Sequence, residues 1–168
     1  MTAGWSPAYI SWMRRALALA EEAAAAGETP VGAVLVCRGV LVAEGRNRRE
    51  AGKNALYHAE LEAIDRGCRA LGGWRLWQCT LYVTLEPCPM CAGAIVNARI
   101  PRVVYGAADP KAGSCGSVTD LFALPYNHRP QVESGLLAEE SAAQHKDFFR
   151  RLREARKANP KARWAGPK

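Results

Sequence analysis

Ile10, Met13, Leu17 and Ala20 recur at helical spacing and define one apolar face near the start of the chain. Ser6-Pro7 sets a capping residue before a proline at the first helical position, and Gly27 supplies a stop. The pattern therefore predicts a helix over 7–26. Two runs rich in β-formers follow, Val31–Cys37 and Val40–Ala43, with Arg38-Gly39 between them as a hairpin turn. Residues 44–57 read as a loop. A helix opened by His58 runs to about Leu71 and stops at Gly72-Gly73. Thr80–Leu85 reads as a strand, Pro87 starts a helix that ends near Arg99, and Arg102–Tyr105 reads as a further strand. That strand–helix–strand order favours a parallel pair with a right-handed crossover. Residues 106–130 are rich in glycine, proline and asparagine and read as loop, with a short helix around Thr119–Ala123. Val132 begins a last extended piece. Residues 138–157 read as a helix that turns Phe148 and Phe149 at least partly inward. The order of elements predicts an α/β fold, a three-layer α/β/α sandwich around one mixed sheet.

Length and composition fit one domain, expected at 1–157, followed by a loose basic tail at 158–168. No run approaches the roughly 20 apolar residues of a membrane span. The N-terminus lacks the order of a secretory signal, so a cytoplasmic location without membrane attachment is the expectation. Thiols in such a compartment stay reduced. Cys37, Cys68 and Cys79 lie among apolar neighbours and read as small core residues. The net charge is +7, and its placement is informative. Residues 148–168 carry eight basic residues against the single acid Glu154, and the rest of the chain is balanced. A basic end of this kind suits phosphate binding.

Cys88 and Cys91 are the one cysteine pair with ligand spacing. Three positions apart at a helix start, they share a face, and the positive helix end favours thiolates. His58 lies at another predicted helix start. Zinc favours nitrogen and sulfur donors, and a catalytic zinc keeps one position for water. His58, Cys88 and Cys91 would supply three ligands for one ion per subunit. Glu60, two residues from His58, is poorly placed to ligate beside it. It can instead reach a water at the open position and move protons. A closed structural zinc site would need a fourth donor, for which Cys115 and His128 are the candidates. The stretch Lys111–Ser117 lacks the Gly-Lys-Ser/Thr ending of a phosphate-binding loop.

His58-Ala59-Glu60 with Pro87-Cys88-Pro89-Met90-Cys91 is the signature by which zinc deaminases are recognised. At these residues the chain resembles the cytidine and deoxycytidylate deaminase superfamily, and within it the bacterial tRNA-specific adenosine deaminases. The likeness extends over nearly the whole chain: Pro30–Val34, Gly45–Arg48, Thr84–Ala94, Asp109–Gly113, Asn127-His128 and Asp147–Arg150. It implies a cytidine-deaminase-like fold, a homodimer, and conversion of adenosine to inosine at the wobble position of a tRNA, chiefly an arginine tRNA. It also implies that the anticodon arm is the partner, that Asn47 bonds the purine edge, and that the Ala59 amide orients the base. Asp109 and Lys111 would touch the anticodon backbone. Phe149 would stack on a base, and Arg150 and Arg153 would contact RNA phosphates. One departure is visible: Ala55-Leu56-Tyr57 stands where many members have Pro-Thr-Ala. Two rival readings stand beside this one. The first is a deaminase of a free base or nucleoside such as guanine or cytosine, against which the basic end argues. The second is a non-catalytic, zinc-stabilised RNA-binding subunit, against which the unliganded Glu60 argues.

Overall fold

The computed structural model describes residues 4–160. Most of the expected tail, with Lys161, Arg163 and Lys168, lies outside the described residues. Helix α1 (Pro7–Ala25) begins as the pattern predicts, with the Ser6 hydroxyl accepting a hydrogen bond from the Tyr9 amide at 3.2 Å. Strands β1 (Gly32–Cys37) and β2 (Val40–Arg46) form the hairpin. Arg38 and Gly39 both take positive φ, the backbone that a tight hairpin turn demands. β2 runs on to Arg46, and a short helix α2 (Arg49–Gly52) occupies the expected loop. Helix α3 (Ala59–Leu71) closes on Gly72 at φ 71°, a left-handed cap. Strand β3 (Cys79–Leu85), helix α4 (Pro89–Asn97) and strand β4 (Arg102–Ala107) form the crossover unit. A single 3₁₀ turn spans Leu121–Ala123, strand β5 spans Gln131–Ser134, and helix α5 spans Ala138–Ala158.

The five strands lie in the order β2-β1-β3-β4-β5. β1 pairs antiparallel with β2 and β3, while β3–β4 and β4–β5 are parallel, so the sheet is mixed. Alternate residues of the strands face two separate cores. On one face Leu35, Leu81, Val83 and Val103 pack with Ala63 of α3 and with Ala92 and Ile95 of α4. On the other, Val34, Tyr82 and Val104 pack with Met13, Ala16 and Leu17 of α1. α5 covers the same face as α1: Gln144 donates to the Leu17 carbonyl, and the Ser141 hydroxyl donates to the Thr84 carbonyl. This is the expected three-layer sandwich.

The close seat of α3 on β2 depends on Gly45. A Cβ there would stand 2.1 Å from the Ala59 carbonyl oxygen and 2.7 Å from the Ala63 amide nitrogen. Backbone on both sides of the clash leaves nothing flexible to move. Gly45→Ala is expected to cost about 1–3 kcal/mol through overpacking, lowering Tm by roughly 2–10 °C. Thermal unfolding followed by circular dichroism checks this, and an unchanged Tm would contradict the packing argument.

Candidate metal centre and active site

Three donors converge because two helices start at the same place. His58 is the N-cap of α3 and Cys88 the N-cap of α4, both with extended backbone and neither using its side chain as a cap. Cys91 lies one turn into α4 and is fully buried. The sequence pattern had placed the helix start at Pro87. The helix begins instead at Pro89, because Cys88 takes the capping position and a proline fits the first helical residue after it. At the N-cap, and making no capping hydrogen bond, the Cys88 side chain remains free for the site.

Nδ1 of His58 lies 3.6 Å from Sγ of Cys88 and 3.6 Å from Sγ of Cys91. All three donor atoms fall within 4.8 Å of one another. Zinc bonds to nitrogen at about 2.0–2.1 Å and to sulfur at about 2.3 Å; in a tetrahedron that sets nitrogen and sulfur about 3.6 Å apart. The donor set and its spacing therefore fit a tetrahedral cation. Among the described residues no fourth histidine, cysteine or carboxylate joins the group. His128 is engaged elsewhere, its Nε2 2.7 Å from the Ile100 carbonyl. Cys115 stands apart, its thiol pushed up to about 12 by burial.

The electrostatics agree with metal-ligand chemistry. A hydrogen bond with the Cys91 thiol, together with the nearby His58, pulls the Cys88 thiol down to about 4 against the opposing effect of burial. The same contact and burial push the Cys91 thiol up. One sulfur thus already favours the thiolate, and a divalent cation would take both. The hydrogen bond to Cys88 also raises His58. Glu60 is buried at 4% exposure, and burial pushes its carboxyl up to about 7.

These groups open into a cavity of about 200 Å³ lined by His58, Ala59, Glu60, Cys88, Asn47 and Asp109, among others. Six of the eleven site residues expected from sequence thus line one small space. Asn47 is held at both ends of its amide: Nδ2 donates to the Thr29 carbonyl at 3.3 Å and Oδ1 accepts from the Arg49 amide at 3.1 Å. Each end keeps capacity for one more bond. The Asp109 carboxylate accepts from the Lys111 amide at 2.9 Å, closing its own turn. Lys111 and Phe149 lie outside the cavity, in an adjoining groove of about 360 Å³ that shares Thr29, Leu85 and Asp109 with it. Phe149 is 39% exposed there, whereas Phe148 faces α1. Arg150 and Arg153 lie farther along α5, on its exposed surface. Arg150 is paired with Asp147 at 2.6 Å and Glu154 at 3.1 Å.

Sequence reasoning missed two buried carboxylates that shape the cavity. Glu28 accepts from the Glu50 and Ala51 amides at 3.0 and 2.7 Å and so fixes α2. Glu86 lines the cavity and gathers the loop after β4. Its place beside Pro87-Cys88 was visible in the sequence; the loop it binds was not.

Residues 9–153 match the sequence profile of the MafB19-like deaminases. A tRNA-specific adenosine deaminase of Bacillus subtilis is 48% identical over 148 residues, covering 88% of this chain and 92% of that protein. A solved structure from studies of A-to-I editing by tRNA:A34 deaminases at the wobble position of transfer RNA superposes with a TM-score of 0.78. It is 46% identical, and the match covers 80% of this chain and 98% of that one. The structure of a guanine deaminase from Bacillus subtilis aligns at a TM-score of 0.58 and 34% identity, over 94% of this chain and 96% of that one.

Proposed function

The chain belongs to the MafB19-like deaminase family, and we propose that it hydrolyses adenosine to inosine at wobble position 34 of tRNA, chiefly arginine tRNA. The observation that carries this reading is the clustering of the His58, Cys88 and Cys91 donor atoms at a small cavity that His58, Cys88 and the buried, unliganded Glu60 line together. The identity to a tRNA-specific adenosine deaminase supports adenine in RNA as the target over a free purine.

Zinc held by His58, Cys88 and Cys91 would supply the Lewis acidity that makes water nucleophilic near neutral pH. The protein does the rest. An adenine turned out of the anticodon loop costs little to extrude, because loop bases are unpaired. The cavity is small and suits one base. Asn47 uses its spare donor and acceptor on the purine edge, and the Ala59 amide orients the ring. Glu60 takes a proton from the attacking water and delivers it to ring N1. Oxygen bonds to C6, the C6–amino bond breaks, and Glu60 hands the second proton to the departing ammonia. The balance is adenine plus water to hypoxanthine plus ammonia.

Asp109, Lys111 and Phe149 would hold the flanking nucleotides in the groove, Phe149 by stacking. Arg150 and Arg153 would add phosphate contacts that weaken with salt. We further propose that the deaminase domain is 1–157 with its basic tail at 158–168, that the protein acts in the cytoplasm, and that it works as a homodimer. No helix of the described residues is long and apolar enough to cross a membrane.

Anticodon stem-loops with adenine or cytosine at the wobble position, offered alongside free guanine and cytidine, test the substrate. Inosine from the wobble-adenine RNA alone is expected. Preferential release of ammonia from free guanine would overturn the reading in favour of a free-base deaminase.

A further inference from the structure

We propose that Glu86 is a positioning residue for RNA, registering the substrate-facing loop against the metal-ligand helix. The inference rests on the proposed function. Glu86 sits between the end of β3 and Pro87-Cys88 and is 1% exposed. Its own amide donates to the Ala107 carbonyl at 2.8 Å, tying it to the end of β4. Its carboxylate then collects the loop that leaves β4. Oε2 accepts from the Asp109 amide at 2.9 Å and from the Ser117 hydroxyl. Oε1 accepts from the Cys115 and Ser117 amides, both at 3.0 Å. Beside it, the Ser114 amide donates to the Pro87 carbonyl at 2.9 Å.

The loop closes so tightly on this carboxylate that no side chain fits at position 113. A Cβ on Gly113 would stand 2.3 Å from Oε2 of Glu86 and 2.5 Å from the Asp109 carbonyl oxygen. Burial alone would push the Glu86 carboxyl up, but the Ser117 hydroxyl and the three amides outweigh it and hold the group ionised. An ionised carboxylate is an acceptor only, and here every partner is a donor.

The same loop brings Asp109 to the cavity and Lys111 to the groove. Two residues after Glu86, Cys88 begins α4. One side chain thus sets the distance between the metal centre and the surface proposed to hold the flanking nucleotides. Glu86 lines the cavity, but its carboxylate oxygens are taken up by Asp109, Cys115 and Ser117, so it acts through the loop and is no donor to the metal.

Glu86→Gln turns an acceptor oxygen into a donor that faces other donors. Zinc-loaded Glu86→Gln protein is expected to show KM for a wobble-adenine stem-loop raised about tenfold or more. Any fall in kcat should be smaller, with zinc per chain unchanged. Ser117→Ala removes one hydroxyl from the same carboxylate and should raise KM in the same direction by less. A fall in kcat or zinc content at unchanged KM in Glu86→Gln would overturn the inference. If that variant does not fold, an unchanged KM in Ser117→Ala overturns it instead. Amide hydrogen exchange separates this idea from the proposed function. Exchange at residues 109–117 should quicken in Ser117→Ala whatever the substrate, and unchanged exchange would again overturn the proposal. Wild-type protein inert on every stem-loop would count against the proposed function alone.

Discussion

Protein carrying Glu60→Gln will bind zinc in full and deaminate a wobble-adenine stem-loop about 10²- to 10⁴-fold more slowly than the unaltered chain. The size of the effect follows from what the side chain is asked to do. Water must lose a proton as it adds to C6, ring N1 must gain one, and the amino group must leave as ammonia. Glu60 is buried, lines the cavity and takes no place among the three donors, and burial raises it to about 7, where giving and taking a proton are both accessible. Glutamine keeps the volume and loses the proton. Single-turnover kinetics with parallel metal analysis reads the outcome. Turnover within about tenfold of the parent would remove Glu60 from the proton path.

His58→Ala should give the opposite combination. Zinc content is expected to fall from one per chain to near zero, and deamination to background. Three donors with one open position leave little redundancy, and two sulfurs alone do not complete a catalytic zinc site. Because metal bound only to the folded chain stabilises it, added zinc should raise the Tm of the stripped parent protein and leave His58→Ala unmoved. Full zinc occupancy and activity in His58→Ala would show that the donors were misassigned.

Much of this was legible along the chain, for identifiable reasons. α1 and α3 carry regular apolar spacing and glycine stops, and their extents were anticipated to within a residue or two. β1 and β3 lie inside the sheet with both faces covered, so their apolar runs are unmistakable. β2 was cut short because Glu44-Gly45-Arg46, on the edge strand, do not read as β-formers. β5 is another edge strand, mostly exposed, and carries almost no pattern. α2 is four residues held by Glu28 from across the fold, a tertiary cause that no local pattern records. Two prolines bracket Cys88, and composition alone could not say which one opens the helix.

The site followed the same division. His58, Glu60, Cys88 and Cys91 were readable because short spacings at helix starts fix their geometry. Asn47 and Asp109 came from the likeness to known deaminases, and both line the cavity. The roles of Glu28 and Glu86 were not readable, since each depends on backbone amides more than twenty residues away. The intrahelical pairing of Arg150 was readable in principle from Asp147 and Glu154, three and four positions away on one helix face.

X-ray absorption at the zinc edge of the loaded protein bears most directly on the centre of the account. The expected shell holds two sulfurs from cysteine, one imidazole nitrogen and one further light atom that an added small ligand displaces. A shell closed by a third sulfur or a second imidazole would mean a structural site, and the chemistry assigned to this cavity could not occur there.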